Sequence, residues 1–177
     1  MKPWELHPAL VHFPIAFLLG AIVLDLYSWV RARNDLKRVV DGLLMAGVAT
    51  GVVAALAGVL AYFTVPNHTQ STHDMMSRHI GLQATAVAMF SANVLIRWRS
   101  SSDHVPIAAR VIGLVGAAVL LWGSSIGGEM VYRGGTGVNP DALAPTAKQH
   151  SRGGDEHNTH ESKQPPTNAD DNGVRQQ

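Results

Sequence analysis

The chain of 177 residues is 46% hydrophobic, 15% charged and 6% aromatic, with a net charge of +1 and no cysteine. The absent thiol excludes disulfides, thiolate metal sites, iron–sulfur clusters and covalent c-type haem attachment, and the near-zero charge leaves no basic stripe to neutralise a row of nucleic-acid phosphates. These averages hide a division: after Gly134 almost no large apolar side chain occurs, and the apolar content is gathered into blocks ahead of it.

A helix crossing roughly 30 Å of hydrocarbon needs about 20 mostly apolar residues, and four segments qualify. The first, residues 10–30, reads LVHFPIAFLLGAIVLDLYSWV and has Asp25 as its only acid. Residues 39–63 form the second, charged only at Asp41; from Gly42 to Phe63 no charge falls on any face, whereas an amphipathic soluble helix needs a polar one. The third, residues 80–98, is shorter and more polar, with Gln83, Asn93 and Arg97. Residues 107–132 form the fourth, with Arg110 near one end and Glu129 near the other. The expected fold is all-α, a polytopic membrane protein with a four-transmembrane-helix bundle over residues 1–139. A disordered polar, histidine-containing tail is expected over 140–177.

Lysine and arginine fix the expected orientation. Arg31, Arg33, Lys37 and Arg38 lie in the first loop and Arg97, Arg99 and Arg110 around the third, against Lys2 and Arg78 at the other ends. The positive-inside rule then places the basic loops in the cytoplasm and both termini in the periplasm of an inner-membrane protein. Tyr27, Trp29, Tyr62, Trp98 and Tyr132 fall near the expected interfaces, as aromatic belts do.

Helices in lipid associate where small residues let backbones approach. The second span offers Gly47, Gly51 and Ala55 with Gly58 beyond, and the fourth offers Ala109, Gly113, Ala117, Gly123 and Gly127. These seams predict close packing, either within the bundle or with another copy of the chain. Asp25 is expected to form an ion pair with the Arg31–Arg38 loop, with a proton relay as the alternative, and Gln83 and Asn93 to donate hydrogen bonds between helices.

His7, His12, His68, His73 and His79 gather at the outer ends of the spans, and His104 lies at the other. His12 just inside the first span and His79 just before the third are the expected cofactor-binding pair for haem b or a metal ion, with Glu129 and His7 nearby. The plainer alternative has interfacial histidines bonding to freed backbone or to water. His7 and His12, five residues apart, would diverge by about 140° on a regular helix. Pro14 would leave the Leu10 carbonyl without its usual donor, so an irregular helix start is expected. His150, His157 and His160 in the tail carry little weight as a metal site.

Three stretches go beyond membrane composition: LHPALVHFPIA at Leu6–Ala16, RHIGL at Arg78–Leu82 and GGEMVYRGGTGV at Gly127–Val138. Together they resemble the four-helix bacterial membrane family called domain of unknown function 2231, over residues 4–139. Its opening pattern matches His7, Pro8, Leu10, Val11, His12, Phe13 and Pro14, and its closing pattern Gly127, Gly128, Val131, Tyr132, Gly135, Gly137 and Val138. The resemblance implies an integral cytoplasmic-membrane protein whose relatives are sometimes joined to redox modules.

The functional expectation is a membrane subunit holding haem or metal at its outer face, with the lipid bilayer and a redox protein or a second copy as partners and no nucleic acid. The alternative is a non-enzymatic assembly protein that binds partner helices through its Gly and Ala seams. No nucleophile–base arrangement supports hydrolysis, and no inverted repeat supports a transporter.

Overall fold

The computed structural model describes residues 3–65, 70–100, 104–133 and 135–136. Among them the secondary structure is entirely helical: α1 (Leu6–Leu10), α2 (His12–Val30), α3 (Lys37–Thr64), α4 (Gln70–Arg99) and α5 (Ile107–Tyr132), with short 3-10 turns at Pro3–Glu5 and Asn34–Leu36. Four stretches are long and apolar enough to cross a bilayer: Leu6–Val30, Asn34–Thr64, Thr72–Arg99 and Ile107–Tyr132. The chain falls into two units, residues 1–137 and 138–177. The expected tail, its three histidines, and His68, Gly134, Gly137 and Val138 lie outside the described residues.

Proline chemistry explains the split first span. Pro14 has no N–H to give the Leu10 carbonyl, and the helix is interrupted at Val11, whose own N–H still bonds the His7 carbonyl at 3.1 Å. Val11 keeps right-handed torsions (φ −62°, ψ −22°), so the chain runs on into α2.

The long helices form a four-cornered ring in which α2 packs on α3, α3 on α4, α4 on α5, and α5 back on α2; α1 lies against α3. Leu18, Leu44, Phe90 and Leu120 meet in the centre. Large apolar side chains such as Leu56, Phe63, Trp98, Leu121 and Trp122 stand on the outside, a distribution that water penalises and lipid accommodates. Tyr27, Trp29, Trp98 and Tyr132 are exposed at helix ends.

Both small-residue seams face the chain's own helices. In α3 the buried face is Leu44, Gly47, Gly51, Ala54 and Ala61. Ala55, expected on this seam, is exposed, because strict four-residue steps drift about 40° each around a helix of 3.6 residues per turn, whereas alternating steps of three and four drift only about 20° in seven residues. A Cβ at Gly47 would stand 2.5 Å from Leu18 Cδ2 of α2, and one at Gly113 would stand 2.6 Å from Asn93 Nδ2 of α4 and 2.7 Å from Ile22 Cδ1 of α2. Gly51 has ordinary room, with Val87 Cγ2 at 3.5 Å.

The third span also starts earlier than its hydropathy suggests. α4 begins at Gln70, so His73 and His79 stand on helix rather than in a loop. Hydropathy marks where a helix enters apolar surroundings, and the polar residues from Gln70 to Arg78 lie ahead of that point. At the opposite terminus α5 stops at Tyr132, Gly135 adopts a left-handed φ of +61°, and the Thr136 N–H returns to the Met130 carbonyl at 3.1 Å.

The glycine geometry yields a graded expectation. Gly113→Ala should lower stability by about 1–3 kcal/mol through overpacking against Asn93 and Ile22, while Gly51→Ala should cost less than about 0.5 kcal/mol. Thermal or denaturant unfolding in detergent checks the order; equal losses at both positions would contradict it.

Candidate functional site

The antiparallel ring puts two polar clusters at opposite ends. At the end holding the start of α1 and the close of α5, the structure brings His7 of α1 to His79 of α4. Their ring centres are 6.1 Å apart and the planes nearly perpendicular at 86°. His7 Nδ1 lies 2.8 Å from the Ala54 carbonyl of α3, and His79 Nδ1 lies 2.8 Å from the Gly123 carbonyl of α5. A carbonyl only accepts, so each Nδ1 donates its proton in these contacts, and in a neutral ring so held Nε2 is the nitrogen with the lone pair.

Both contacts are built in the same way. The residue four positions beyond each accepting carbonyl is glycine, Gly58 after Ala54 and Gly127 after Gly123. A Cβ at Gly58 would stand 3.0 Å from His7 Cε1, and one at Gly127 would stand 2.9 Å from His79 Cε1. The missing side chain lets the imidazole lie over the helix and reach the carbonyl one turn back. These glycines of the expected seams therefore seat histidines.

The partner of His79 is thus His7, not His12. His12 is exposed on α2, because the chain keeps helical torsions through Val11 and five residues of helix turn His12 about 140° away from His7. Glu129 also stands apart, paired with Arg133 at 2.9 Å on the exposed side of α5. Nearby, Tyr62 Oη and His73 Nε2 are 2.7 Å apart. Among the described residues no group of three or more His, Cys, Asp or Glu side chains is placed to hold a metal ion.

At the other end Arg97 of α4, only 3% exposed, carries a charge in the interior. Its guanidinium pairs with Asp25 of α2 at 2.7 Å and with Asp41 of α3 at 3.0 Å, and its Nε donates to Asn93 Oδ1 at 2.8 Å. Asn93 in turn donates to the Ala109 carbonyl of α5 at 2.9 Å, so one side chain ties all four corners together. Lys37 supports Asp41 at 3.0 Å, and Arg110 approaches Asp25 at 3.7 Å while lying over the Trp29 ring at 5.2 Å.

Asp25 is therefore paired, but with arginines of α4 and α5 rather than with the Arg31–Arg38 loop. In that loop Arg33 closes on Asp35 instead, at 2.8 Å; this exposed contact raises the guanidinium's pKa, through the hydrogen bond first and the opposite charge second. The expected interhelical hydrogen bonds are both present: Asn93 to Ala109, and Gln83 Nε2 to Ser124 Oγ at 3.2 Å. Arg97 was visible in sequence as the cation closing the third span. Its two carboxylates, 56 and 72 positions earlier, leave no periodic signal.

An all-helical ring with a lipid-compatible exterior, a buried arginine at one end and paired imidazoles at the other defines a four-helix integral membrane protein. The chain belongs to the DUF2231 family, described as predicted membrane proteins, whose pattern matches residues 3–140. No curated protein and no solved structure matches it.

Removing the central cation tests the network. Arg97→Gln should destabilise the bundle by about 3–5 kcal/mol, because Asp25 is left buried without its closest counter-charge. Combined with Asp25→Asn, the loss should be clearly smaller than the sum of the two single losses, as read from a double-mutant cycle of unfolding in detergent. Additive losses would show that the pair does not act as a unit.

Proposed function

We propose that this protein is a cytoplasmic-membrane subunit that holds a haem b through His7 and His79 and passes electrons to or from a redox partner. The observation that carries this reading is the orientation of the two imidazoles. Each is fixed through Nδ1–H to a backbone carbonyl, the arrangement that commonly positions a histidine whose Nε2 is a metal ligand.

Ligand count favours haem over a bare ion. Two imidazoles are too few to enclose an ion alone, whereas a porphyrin would bring four nitrogens of its own and leave His7 and His79, whose ring centres lie 6.1 Å apart, as the residues that hold it. A bound haem would supply one-electron chemistry, and the chain would fix the two imidazoles, hold their tautomer and set their depth.

Orientation belongs to the same proposal. Arg31, Arg33, Lys37, Arg38, Arg97, Arg99 and Arg110 all stand at the arginine end of the ring, against Arg78 and Arg133 among the described residues of the histidine end. The positive-inside rule puts the arginine end in the cytoplasm, with both termini and the imidazole pair in the periplasm. The assembly alternative gains no comparable support, since Gly47, Gly113, Gly123 and Gly127 face side chains of the chain's own helices.

Membrane-extracted protein expressed with haem supply should show a Soret band and about one haem per chain. His7→Ala and His79→Ala should each abolish it or shift it to a single-ligand spectrum, and His12→Ala should leave it unchanged. A colourless protein, or a spectrum indifferent to His7 and His79, overturns the haem assignment. Separately, alkaline phosphatase fused after residue 139 should be active in cells and a fluorescent protein fused there dark when exported unfolded; the reverse pattern overturns the orientation.

A further inference from the structure

The arginine end contains a second feature that the ion network does not use. A cavity of about 250 Å³ opens there, lined by Ser28, Trp29, Ala32, Asn34, His104, Val105 and Arg110. Its position joins the close of α2, the 3-10 turn and the start of α5.

Arg110 is the group that gives this cavity a chemistry. Its side chain is only 13% exposed, and its closest carboxylate oxygen, Asp25 Oδ2 at 3.7 Å, is already held by Arg97 at 2.7 Å. The Nε of Arg110 is buried without a hydrogen bond, and its terminal nitrogen reaches only the Val105 carbonyl, at 3.4 Å. The cluster contains two carboxylates, Asp25 and Asp41, and three cations, Arg97, Arg110 and Lys37. Among the described residues one positive charge of this cluster is left over, and Arg110, only 13% exposed, is its loosest member, placed where an unbalanced charge is costly.

The cavity walls suit a compensating oxyanion. Val105 and Arg110, which line the cavity, flank the start of α5, whose N-cap Pro106 gives no side-chain cap, so the positive end of the helix lies near the arginine. The Trp29 indole and the Asn34 amide bring further donors to the walls. The volume is below the roughly 300–1,000 Å³ of pockets that enclose drug-sized ligands. A small anion or one headgroup fits; a nucleotide does not.

We infer that the cavity at Arg110 is a binding site for a phosphoryl oxyanion, either the headgroup phosphate of an anionic lipid or free phosphate, which completes the charge balance of the Asp25–Arg97–Asp41 cluster. A planar guanidinium matches the geometry of phosphate oxygens, and the basic loops around this end draw anions of either source toward it. The site is independent of the histidine pair.

The test uses the full chain, delipidated in phosphate-free neutral detergent. One arm titrates short-chain phosphatidylglycerol with occupancy read by native mass spectrometry; the other titrates inorganic phosphate with phosphorus NMR. Saturable binding of about one equivalent is expected in at least one arm, weakened fivefold or more by Arg110→Gln and less than fivefold by Arg99→Gln, an exposed arginine outside the cavity. Lipid binding without phosphate binding assigns the site to the bilayer; phosphate binding assigns it to the soluble anion. Should Arg110→Gln fail to fold, Asn34→Glu, on an exposed wall residue, places a carboxylate at the site and is expected to give the same loss. Non-saturable binding in both arms overturns the inference, as does a loss below fivefold in the variant used.

Discussion

The bundle depends on one electrostatic constraint, the burial of the Arg97 charge. A guanidinium 3% exposed persists only where acceptors surround it, and α4 alone cannot supply them. Asp25 must come from α2, Asp41 from α3 and Asn93 from its own helix, and Asn93 then fixes α5 through the Ala109 carbonyl. Packing of Leu18, Leu44 and Phe90 is compatible with many small rotations of four apolar rods. The network is not, because it demands three directed contacts to one planar group. This pairing sets the azimuth of each helix, and through it the residues that face inward at the far end.

The far end is organised by the opposite means, with neutral dipoles in place of ions. His7 and His79 dock on carbonyls that are already committed within helices and can accept a second bond. Access to such a carbonyl requires that the residue one turn later lack a Cβ, which Gly58 and Gly127 satisfy. Each glycine therefore has a cost in helix propensity that is offset by a ring seated at a defined depth. α1 is too short to hold an orientation alone, and its contact with α3 through His7 locates the start of the chain.

Hydropathy alone made the four spans legible, together with their antiparallel order and the small residues that let them approach. It also marked the histidines as lying at a common end. What it could not reveal was the phase of each helix. Ala55 appeared to continue the Gly47–Gly51 seam, yet Ala54 is the buried residue; the distinction lies in a drift of about 40° per four-residue step. His12 appeared better placed than His7 because it lies deeper in the apolar block, but depth along an axis says nothing of direction around it. Helical torsions persist through Val11, so the five-residue spacing alone turns His12 about 140° from His7. Contacts such as Arg97 to Asp25 join residues far apart in sequence, and only the folded ring specifies them.

The contrast between the ends bears on what the bundle can do. A buried ion network resists rotation of its helices, since any turn that separates Arg97 from either carboxylate leaves charge unpaired in the interior. Helices anchored in this way at one end keep their opposite ends in register. The paired imidazoles gain from that register: their separation depends on α1 with α3 and on α4 with α5, two pairs joined where α3 packs on α4. A change at Asp25 would thus be felt at His79, although Asp25 touches neither histidine, because the azimuth of α4 is set at Arg97 and carried along a continuous helix to the ring that rests on Gly123.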